Sequence, residues 1–266
     1  MTPVEVQRGD SPIILGLPHT GTYVPEAIIA KLNRRGQGLD DTDWHIHQLY
    51  DGLLPGATTV RATFHRYVVD ANRDPSGVSL YPGQNTTGLV PLTDFEGRDI
   101  WTDAPDEAEV AARRETFHAP YHAALEAEMA RVRDLHGVAI LYDCHSIRSE
   151  IPFLFEGTLP DFNIGTNMGA TCALEIEAAV QDICAAAEGY TSTTNGRFKG
   201  GWTTRHYGRS GEGFHAIQME LAQSTYLSAE AAPWTYDTAK ADRLRAHLKT
   251  ILTTLADLAP TLKGTT

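Results

Sequence analysis

The sequence predicts an α/β fold in which a mixed, mostly parallel sheet carries helices on both faces. Two observations favour this class: apolar β-branched segments alternate with amphipathic ones along the chain, and neither an internal repeat nor a linker divides it. At 266 residues the chain is long enough to bury a large core without disulfides. We therefore predict a single domain over residues 1–266.

Short apolar runs bounded by turn residues predict the strands of the first half. They are PIILGLPH from Pro12, ATTVRA from Ala57 and RYVVDAN from Arg66. Two helices are predicted before the second of these strands. They are VPEAIIAKLNRRG, ended by Gly36, and DTDWHIHQLYDGLL, capped by Asp41 or Thr42.

The segment from Asp74 to Ala104 is rich in Gly, Pro, Asn and Thr, and no helical or strand period persists in it. Such a long irregular stretch inside a domain is usually functional, so we predict a loop or lid over a site. Gln84, Asn85 and Thr86 are its candidate polar contacts, although ordinary turn formation explains these residues as well.

The second half begins with an amphipathic pattern from Asp106, which predicts a long helix broken near Pro120 and ended by Gly137. The strand AILYDCHS follows, and then a long helix that begins at Gly169. Residues 190–208 are Gly-rich and Arg-rich and predict a loop or hairpin. The strand HAIQMELA and a helix from Thr238 to Leu258, stopped by Pro260, complete the chain.

Composition excludes several classes of function. A net charge of -12 argues against nucleic acid as a partner, because phosphate backbones require clustered Lys and Arg. No apolar stretch approaches the roughly 20 residues of a membrane-spanning helix. Three cysteines without a CxxC pair are not a disulfide framework, so we expect a cytoplasmic protein. The motifs GxxxxGK[ST] and GxSxG are both absent.

Polar residues stand at the ends of the apolar strands, where the loops of an α/β sheet form a crevice. His19 follows the first strand and His145 lies late in another. Two His and one carboxylate with an open position are a standard catalytic zinc site. Asp43 is the first candidate for the carboxylate, with Asp41 and Glu26 as alternatives. Taken singly, each of these residues also has an ordinary structural explanation, and no HExxH motif fixes the spacing.

A buried carboxylate and several arginines are further candidates. Glu220 stands among apolar residues in IQMELA; burial there would suit a general base, and the alternative is an outward position on an edge strand. Asn72 and Arg73 follow a predicted strand that begins at Arg66, and a guanidinium can hold a carboxylate bidentately. Other cations stand on later loops: Arg148, Lys199 and Arg205. Cys144 is interpreted as a buried inert thiol rather than a nucleophile.

These candidates lie in stretches that resemble the N-formylglutamate amidohydrolase family of histidine degradation. The resemblance extends from about residue 11 to about residue 228. It rests on LPHTGTYVP, DTDWHIHQLYD, RYVVDANRDP, SLYPGQNTTGLVP, DCHSIRS, FEGTLPDFNIGTN, NGRFKGGWTTRHYG and QMELAQSTY.

The resemblance implies a metal-dependent hydrolase of a linear amide, with the fold of the zinc carboxypeptidases (the phosphorylase/hydrolase-like fold) and the aspartoacylase-like deacylases. It implies one zinc ion per chain, or another divalent metal, and these roles: metal ligands His19, Asp43 and His145, general base Glu220, carbonyl-polarising Arg66, and carboxylate-binding Asn72 and Arg73. The wider group has an acidic ligand three residues after the first His, where this chain has Thr22. The third ligand therefore stays open among Asp43, Asp41 and Glu26.

The expected reaction is hydrolysis of N-formyl-L-glutamate to formate and L-glutamate. The substrate is then a small dianionic acyl-amino acid, whose second carboxylate is held by Arg148, Arg205 or Lys199. Asp143 is expected to orient a neighbouring group as an outer partner of the metal site. One alternative is a zinc deacylase of another N-acyl amino acid or a peptide, and a second is a non-catalytic carboxylate-binding protein. The sequence predicts no oligomeric state.

Overall fold

One mixed sheet forms the centre of the protein. The computed structural model describes residues 2–80 and 83–262, and within them the sheet has seven strands. The strands are β1 (Val4–Gln7), β2 (Ile13–Leu17), β3 (Thr58–Ala62), β4 (Ala139–Ile147), β5 (Phe162–Gly165), β6 (Ser192–Thr194) and β7 (Phe214–Ala222). Their order is β1-β3-β2-β4-β7-β5-β6, with β1 antiparallel to β3, β5 antiparallel to β7, and the other neighbours parallel. The predicted α/β class with a mostly parallel sheet is confirmed.

Helices cover both faces of this sheet, as predicted. They are α1 (Glu26–Ile29), α2 (Ile46–Tyr50), α3 (Glu107–Arg113), α4 (Ala119–His136), α5 (Leu174–Ala185), α6 (Trp202–Tyr207) and α7 (Thr238–Leu258). Helices α2, α5 and α7 contribute to a core on one face, and α4 and α6 contribute to a core on the other. No helix among the described residues is both long enough and apolar enough to span a bilayer.

The alternation of side chains along β4 and β7 decides which of them can meet. Tyr142 and Cys144 of β4 point into the core under α2, α5 and α7. Because successive strand residues point to opposite faces, His145 lies on the face of α4 and α6. Glu220 of the paired strand β7 points to this same face, and the parallel register places it beside His145. The two strands thus present these side chains together.

Two predictions on the amino-terminal side of the sheet were wrong. Residues 66–72 form turns rather than a strand, because the chain leaves the sheet after β3 and finds no free strand to pair with. The helix predicted from Asp41 begins only at Ile46, after His45 with a left-handed φ of 57°, so neither Asp41 nor Thr42 caps it. The Asp43 N–H donates instead to the His19 carbonyl, which fixes this segment as a loop beside β2.

Further boundaries also differ. Helix α1 has only 4 residues, and a short 3₁₀ helix (Gly36–Gly38) follows it. Helix α5 begins at Leu174 rather than Gly169, because residues 167–169 all have positive φ. Segment 190–208 contains β6 and α6 rather than only a loop or hairpin. The segment 74–104 has neither a helix nor a strand in its described part; Tyr81 and Pro82 lie outside the described residues.

The long predicted helix is present, but it is not broken at Pro120. A π-helical turn (Arg114–His118) joins α3 to α4, and Pro120 falls in the first turn of α4. The Ala119 N–H donates to the Arg114 carbonyl, five residues back, as this turn requires. Gly137 ends α4 with a φ of 75°, as predicted.

Candidate active site

Three buried side chains from three parts of the chain converge at the carboxyl ends of β2 and β4. His19 follows β2, Asp43 lies in the loop before α2, and His145 belongs to β4. His145 Nδ1 lies 3.2 Å from His19 Nδ1 and 3.3 Å from Asp43 Oδ2, and the latter lies 3.8 Å from His19 Nδ1. All three side chains are buried.

Carboxylates lie beside the Nε2 atoms of both imidazoles, on the side away from Asp43. His19 Nε2 donates to Asp70 Oδ1 at 2.7 Å, which leaves the lone pair on Nδ1. His145 Nε2 lies 3.2 Å from Asp143 Oδ1, whose charge favours a proton on that nitrogen. The Nδ1 atoms of both rings face the Asp43 carboxylate. This is the arrangement in which metal-binding histidines usually occur.

The geometry fits a divalent cation. Three acceptor atoms face one another at distances close to the roughly 3.3 Å edge expected for four ligands about 2.0–2.1 Å from a tetrahedral zinc ion. A proton shared among these atoms stabilises the cluster, in agreement with the raised pKa of His145, and a divalent cation would replace that proton. The three atoms all lie within 4.8 Å of one another, so they could hold a metal ion.

The charges around this cluster act in opposite directions on its members. Burial, followed by the charge of Arg66, lowers the pKa of His19 to about 4. Burial would raise the pKa of Asp43, but Arg66, the bond to His145 and the charge of His19 hold it below its ordinary value. Burial alone would lower the pKa of His145, yet the carboxylates of Asp143, Asp43 and Glu220 raise it well above normal.

Glu220 lies beside the cluster and is held by the side chain two residues before it. Gln218 Nε2 donates to Glu220 Oε2 at 3.1 Å, and Gln218 Oε1 accepts from the Gly201 N–H at 2.7 Å. Burial, aided by Asp43 and Asp143, raises the pKa of Glu220 to about 8 against the opposing effects of His145 and Arg66. Glu220 is 7% exposed, so the alternative of an outward position on an edge strand does not apply.

Both predicted arginines of the segment after β3 line one cavity with this carboxylate. Arg66 Nη2 donates to Asp43 Oδ1 at 2.8 Å, and its Nε is buried without a hydrogen-bond partner among the described residues. Arg73 donates to Thr87 through Nε and Nη2, both at 2.9 Å, and to the Asn72 carbonyl at 3.0 Å. Arg73 is thus fastened to the irregular segment over the cavity.

Asn72 lies between the wall of the cavity and the histidines. Its Oδ1 accepts from the Thr203 N–H at 2.9 Å, and its Nδ2 lies 3.2 Å from His145 Nε2. Gly201 packs against this amide, because a Cβ at position 201 would lie only 2.3 Å from Asn72 Nδ2. The Asn72 amide therefore touches a candidate ligand directly.

Of the three cations predicted for a second substrate carboxylate, only Lys199 lines the cavity. Arg148 instead donates to Glu96 Oε1 at 2.7 Å and lies 3.9 Å from Asp41 Oδ1. Arg205 donates to the Gly200 carbonyl at 2.9 Å. Neither is among the residues that line the cavity, so the structure does not place them with the other candidates.

The two alternative metal ligands also lie elsewhere. Asp41 Oδ2 accepts from the Tyr67 hydroxyl at 2.7 Å and from the Phe95 N–H at 2.9 Å, and Glu26 is exposed in the first turn of α1. Cys144 points into the opposite core, where burial raises the pKa of its thiol well above normal. It is not among the residues that line the cavity.

The irregular segment forms one wall of the cavity, as the lid prediction expected. Asn85 and Thr86 line the cavity, whereas Gln84 does not. Asn85 Nδ2 donates to the Phe153 carbonyl at 2.8 Å. Arg197 ties the same wall to its neighbours: it donates to the Leu154 carbonyl at 3.0 Å and to the Asn85 carbonyl at 3.2 Å.

Sequence reasoning missed several residues of this site. Asp70 lies in the stretch RYVVDAN but was assigned no role, and its contact with His19, 51 residues away, has no local signal. Gln218 had a signal, since it shares a strand face with Glu220 at a spacing of two. Arg197 stands in the Gly-rich and Arg-rich segment, but nothing in that segment distinguished it from Arg205.

Comparisons with known proteins identify the family of this chain. The family model for N-formylglutamate amidohydrolase matches residues 11–227. The N-formylglutamate deformylase of Pseudomonas aeruginosa is 45% identical over 94% of both chains, and that of Pseudomonas putida is 44% identical over 93% of both. The crystal structure of N-formylglutamate amidohydrolase from Ralstonia eutropha JMP134 has the same fold, with a TM-score of 0.81, 23% identity and coverage of 98% of this chain and 99% of that one. The chain therefore belongs to the N-formylglutamate amidohydrolase family.

Proposed function

We propose that this protein hydrolyses N-formyl-L-glutamate to formate and L-glutamate, as in histidine degradation, with one zinc ion or another divalent metal held by His19, Asp43 and His145. The observation that carries the proposal is the shared cavity. It is lined by two of the three candidate ligands, His19 and His145, by a carboxylate of raised pKa and by several cationic side chains, and Asp43 lies directly behind the two histidines. The names of the two Pseudomonas relatives support the substrate.

The charge of the cavity suits an anionic substrate although the chain has a net charge of -12. Four cationic side chains line it: Arg66, Arg73, Arg197 and Lys199. The acidic lining residues are Asp74 and Glu220. A cavity with this excess of positive charge attracts a dianion locally. We assign one substrate carboxylate to Arg73 beside Asn72, and the other to Lys199.

A divalent cation at the three ligands would polarise the formyl oxygen and make a bound water more acidic. Glu220 removes a proton from the attacking water while the oxygen of that water adds to the formyl carbon. The same carboxyl returns that proton to the amine nitrogen as the C–N bond breaks. Arg66, which lines the cavity, donates to the developing oxyanion.

The raised pKa of Glu220 fits this role in both steps. A carboxyl whose pKa lies near neutrality accepts and returns protons at the working pH. The value of about 8 belongs to a cluster without added positive charge. A cation placed beside Glu220 would lower that pKa, since a nearby opposite charge favours the charged form.

The experiment combines metal content with formate release on untagged protein. We expect about one zinc per chain by elemental analysis, formate release from N-formyl-L-glutamate that chelation abolishes and zinc restores, and little turnover of N-acetyl- or N-succinyl-L-glutamate. Glu220→Gln should lower kcat about 10²- to 10⁴-fold with the metal retained, whereas exposed Glu188→Gln should not.

Two outcomes would contradict the proposal. Preferred turnover of the acetyl or succinyl substrate would indicate a deacylase of another acyl-amino acid. Ligand binding that survives complete chelation, with no turnover after zinc is added back, would indicate a carboxylate-binding protein.

A further inference from the structure

The carbonyl groups of residues 68–73 have no strand partners, although this segment presents Asp70 and Arg73 to the site. Buried carbonyls must be satisfied, and outside a sheet other donors have to be found. The Asn72 carbonyl accepts from the side chain of Arg73. The Asp70 carbonyl accepts from the Arg73 N–H at 3.2 Å. The donors to the carbonyls of Val68, Ala71 and Arg73 come from the helical stretch α3–α4.

Two histidines of this stretch supply the closest bonds. His122 Nε2 donates to the Ala71 carbonyl at 2.7 Å, and His118 Nε2 donates to the Arg73 carbonyl at 3.0 Å. Both side chains are buried, with 8% and 2% exposure. Arg113 adds a longer contact of 3.5 Å from Nη1 to the Val68 carbonyl.

The rings are fixed in the tautomer that these bonds need. A carbonyl only accepts, so each Nε2 carries the proton. His122 Nδ1 lies 3.1 Å from the hydroxyl of Tyr207, which also lies 3.2 Å from the His122 carbonyl. Burial lowers the pKa of His118, and burial together with the proximity of His118 lowers the pKa of His122 to about 3, so both rings are neutral donors.

The π-helical turn explains how one helix can reach the whole segment. Residues five apart in an α-helix point about 140° away from each other, so Arg113 and His118 would face different directions. The turn Arg114–His118 lies between them, with its hydrogen bond from residue i to i+5. Such a turn brings residues five apart onto one side. His122 then follows His118 by the ordinary spacing of four.

We propose that His118 and His122 are positioning residues, which hold the backbone of residues 70–73 so that Arg73 faces the cavity and Asp70 faces His19. Neither histidine lines the cavity. Each acts through a carbonyl group adjacent to residues that do reach the site. The substrate part of this inference rests on the proposed function, whereas the backbone part does not.

The test compares His118→Phe, which keeps a ring but removes the donor, with His118→Gln, whose amide nitrogen can occupy roughly the place of Nε2. The control is His206→Phe. His206 stacks on Trp202 in the same aromatic cluster, and its side chain has no hydrogen bond to residues 68–73. All variants would be compared at temperatures where thermal unfolding shows them to be fully folded.

We expect amide hydrogen exchange in a peptide covering 67–74 to be faster in His118→Phe and unchanged in the other two variants. We also expect KM for N-formyl-L-glutamate to rise about 10-fold in His118→Phe with kcat within about 3-fold, since Arg73 binds substrate and transition state alike. His118→Gln should restore both readouts.

Unchanged exchange and KM in folded His118→Phe would overturn the proposal, as would an equal change in His206→Phe. If the wild-type protein releases no formate, the proposed function fails by itself. The exchange comparison then still decides whether His118 holds the backbone.

Discussion

Lys199 lines the cavity with an exposed side chain, and no described residue forms an ion pair or hydrogen bond with its ammonium group. Arg73, by contrast, is already bonded to the loops around it. We expect Lys199→Met to lower kcat/KM for N-formyl-L-glutamate about 10- to 100-fold, because a charged contact with the side-chain carboxylate is lost. The neutral isostere N-formyl-L-glutamine should be turned over by both proteins at similar rates.

The matched control is Lys249→Met on the exposed side of α7. Lys249→Met should leave kcat/KM unchanged for both N-formyl-L-glutamate and N-formyl-L-glutamine. An equal loss for the charged and neutral substrates in Lys199→Met would show that Lys199 supports the loop rather than the carboxylate.

At the scale of single residues, site residues at the ends of apolar strands can be predicted from the sequence. Residues whose position depends on a contact with a distant part of the chain cannot. His19 and His145 were predictable because each is delivered by an apolar strand. Asp70 was not, because its role depends on a contact with a residue 51 positions away. Arg148 follows β4 closely, yet Glu96, 52 positions away, directs its guanidinium elsewhere.

Among the elements, α4 is fastened to the edge of the sheet through Glu128. This carboxylate is 2% exposed and accepts from Arg8 Nε at 2.7 Å and from Arg131 Nε at 2.6 Å. Arg131 also donates to the Thr58 hydroxyl of β3 at 2.9 Å. We expect Glu128→Gln to reduce the free energy of unfolding by about 1–3 kcal/mol at pH 7, measured by urea denaturation.

The effect should depend on pH. Burial would raise the pKa of Glu128, but the bonds and charges of Arg131 and Arg8 lower it below its ordinary value of 4.5. A carboxyl whose folded pKa is depressed stabilises the fold above its unfolded pKa and loses that contribution as pH falls through its folded pKa. The difference between wild type and Glu128→Gln should therefore shrink below about pH 4.5.

Glu126→Gln on the exposed side of the same helix is the control and should show little difference at any pH. A gap between wild type and Glu128→Gln that stays constant down to pH 3 would mean that the charge of Glu128 does not matter.

Helices and strands were predictable where the pattern of their own residues is enough to specify them. Helix α7 has the predicted bounds, and β4 and β7 contain the predicted strands. In each of them a long pattern of apolar residues in the sequence coincides with the buried positions of the element. Segment 66–72 failed for the opposite reason. Val68 and Val69 favour a strand, but a strand needs a free neighbour, and side chains of α3–α4 satisfy the carbonyls instead. Strands β5 and β6 are too short to show a period.

For the molecule as a whole, folding and metal binding should be coupled. The three candidate ligands come from the loop after β2, the loop before α2, and β4, so the unfolded chain offers no such cluster. A ligand that binds only the folded state stabilises it by mass action. We expect a saturating excess of zinc to raise the Tm of metal-free protein by roughly 5–10 °C in scanning fluorimetry.

His145→Gln provides the control, because it removes one ligand and should abolish the zinc-dependent shift. An unchanged Tm of the wild-type protein over the full range of zinc concentrations would argue that the cluster does not take the ion.

Gly201 limits which substitutions the site can accept. Its φ of -77° is open to any residue, so the requirement there is for empty space rather than for an unusual backbone. A single methyl group would collide with Asn72, which touches His145, while the N–H of the same glycine bonds Gln218, which holds Glu220. Mutational tolerance at this position is therefore limited by volume alone, and the smallest possible enlargement would disturb a candidate ligand and the candidate base at once.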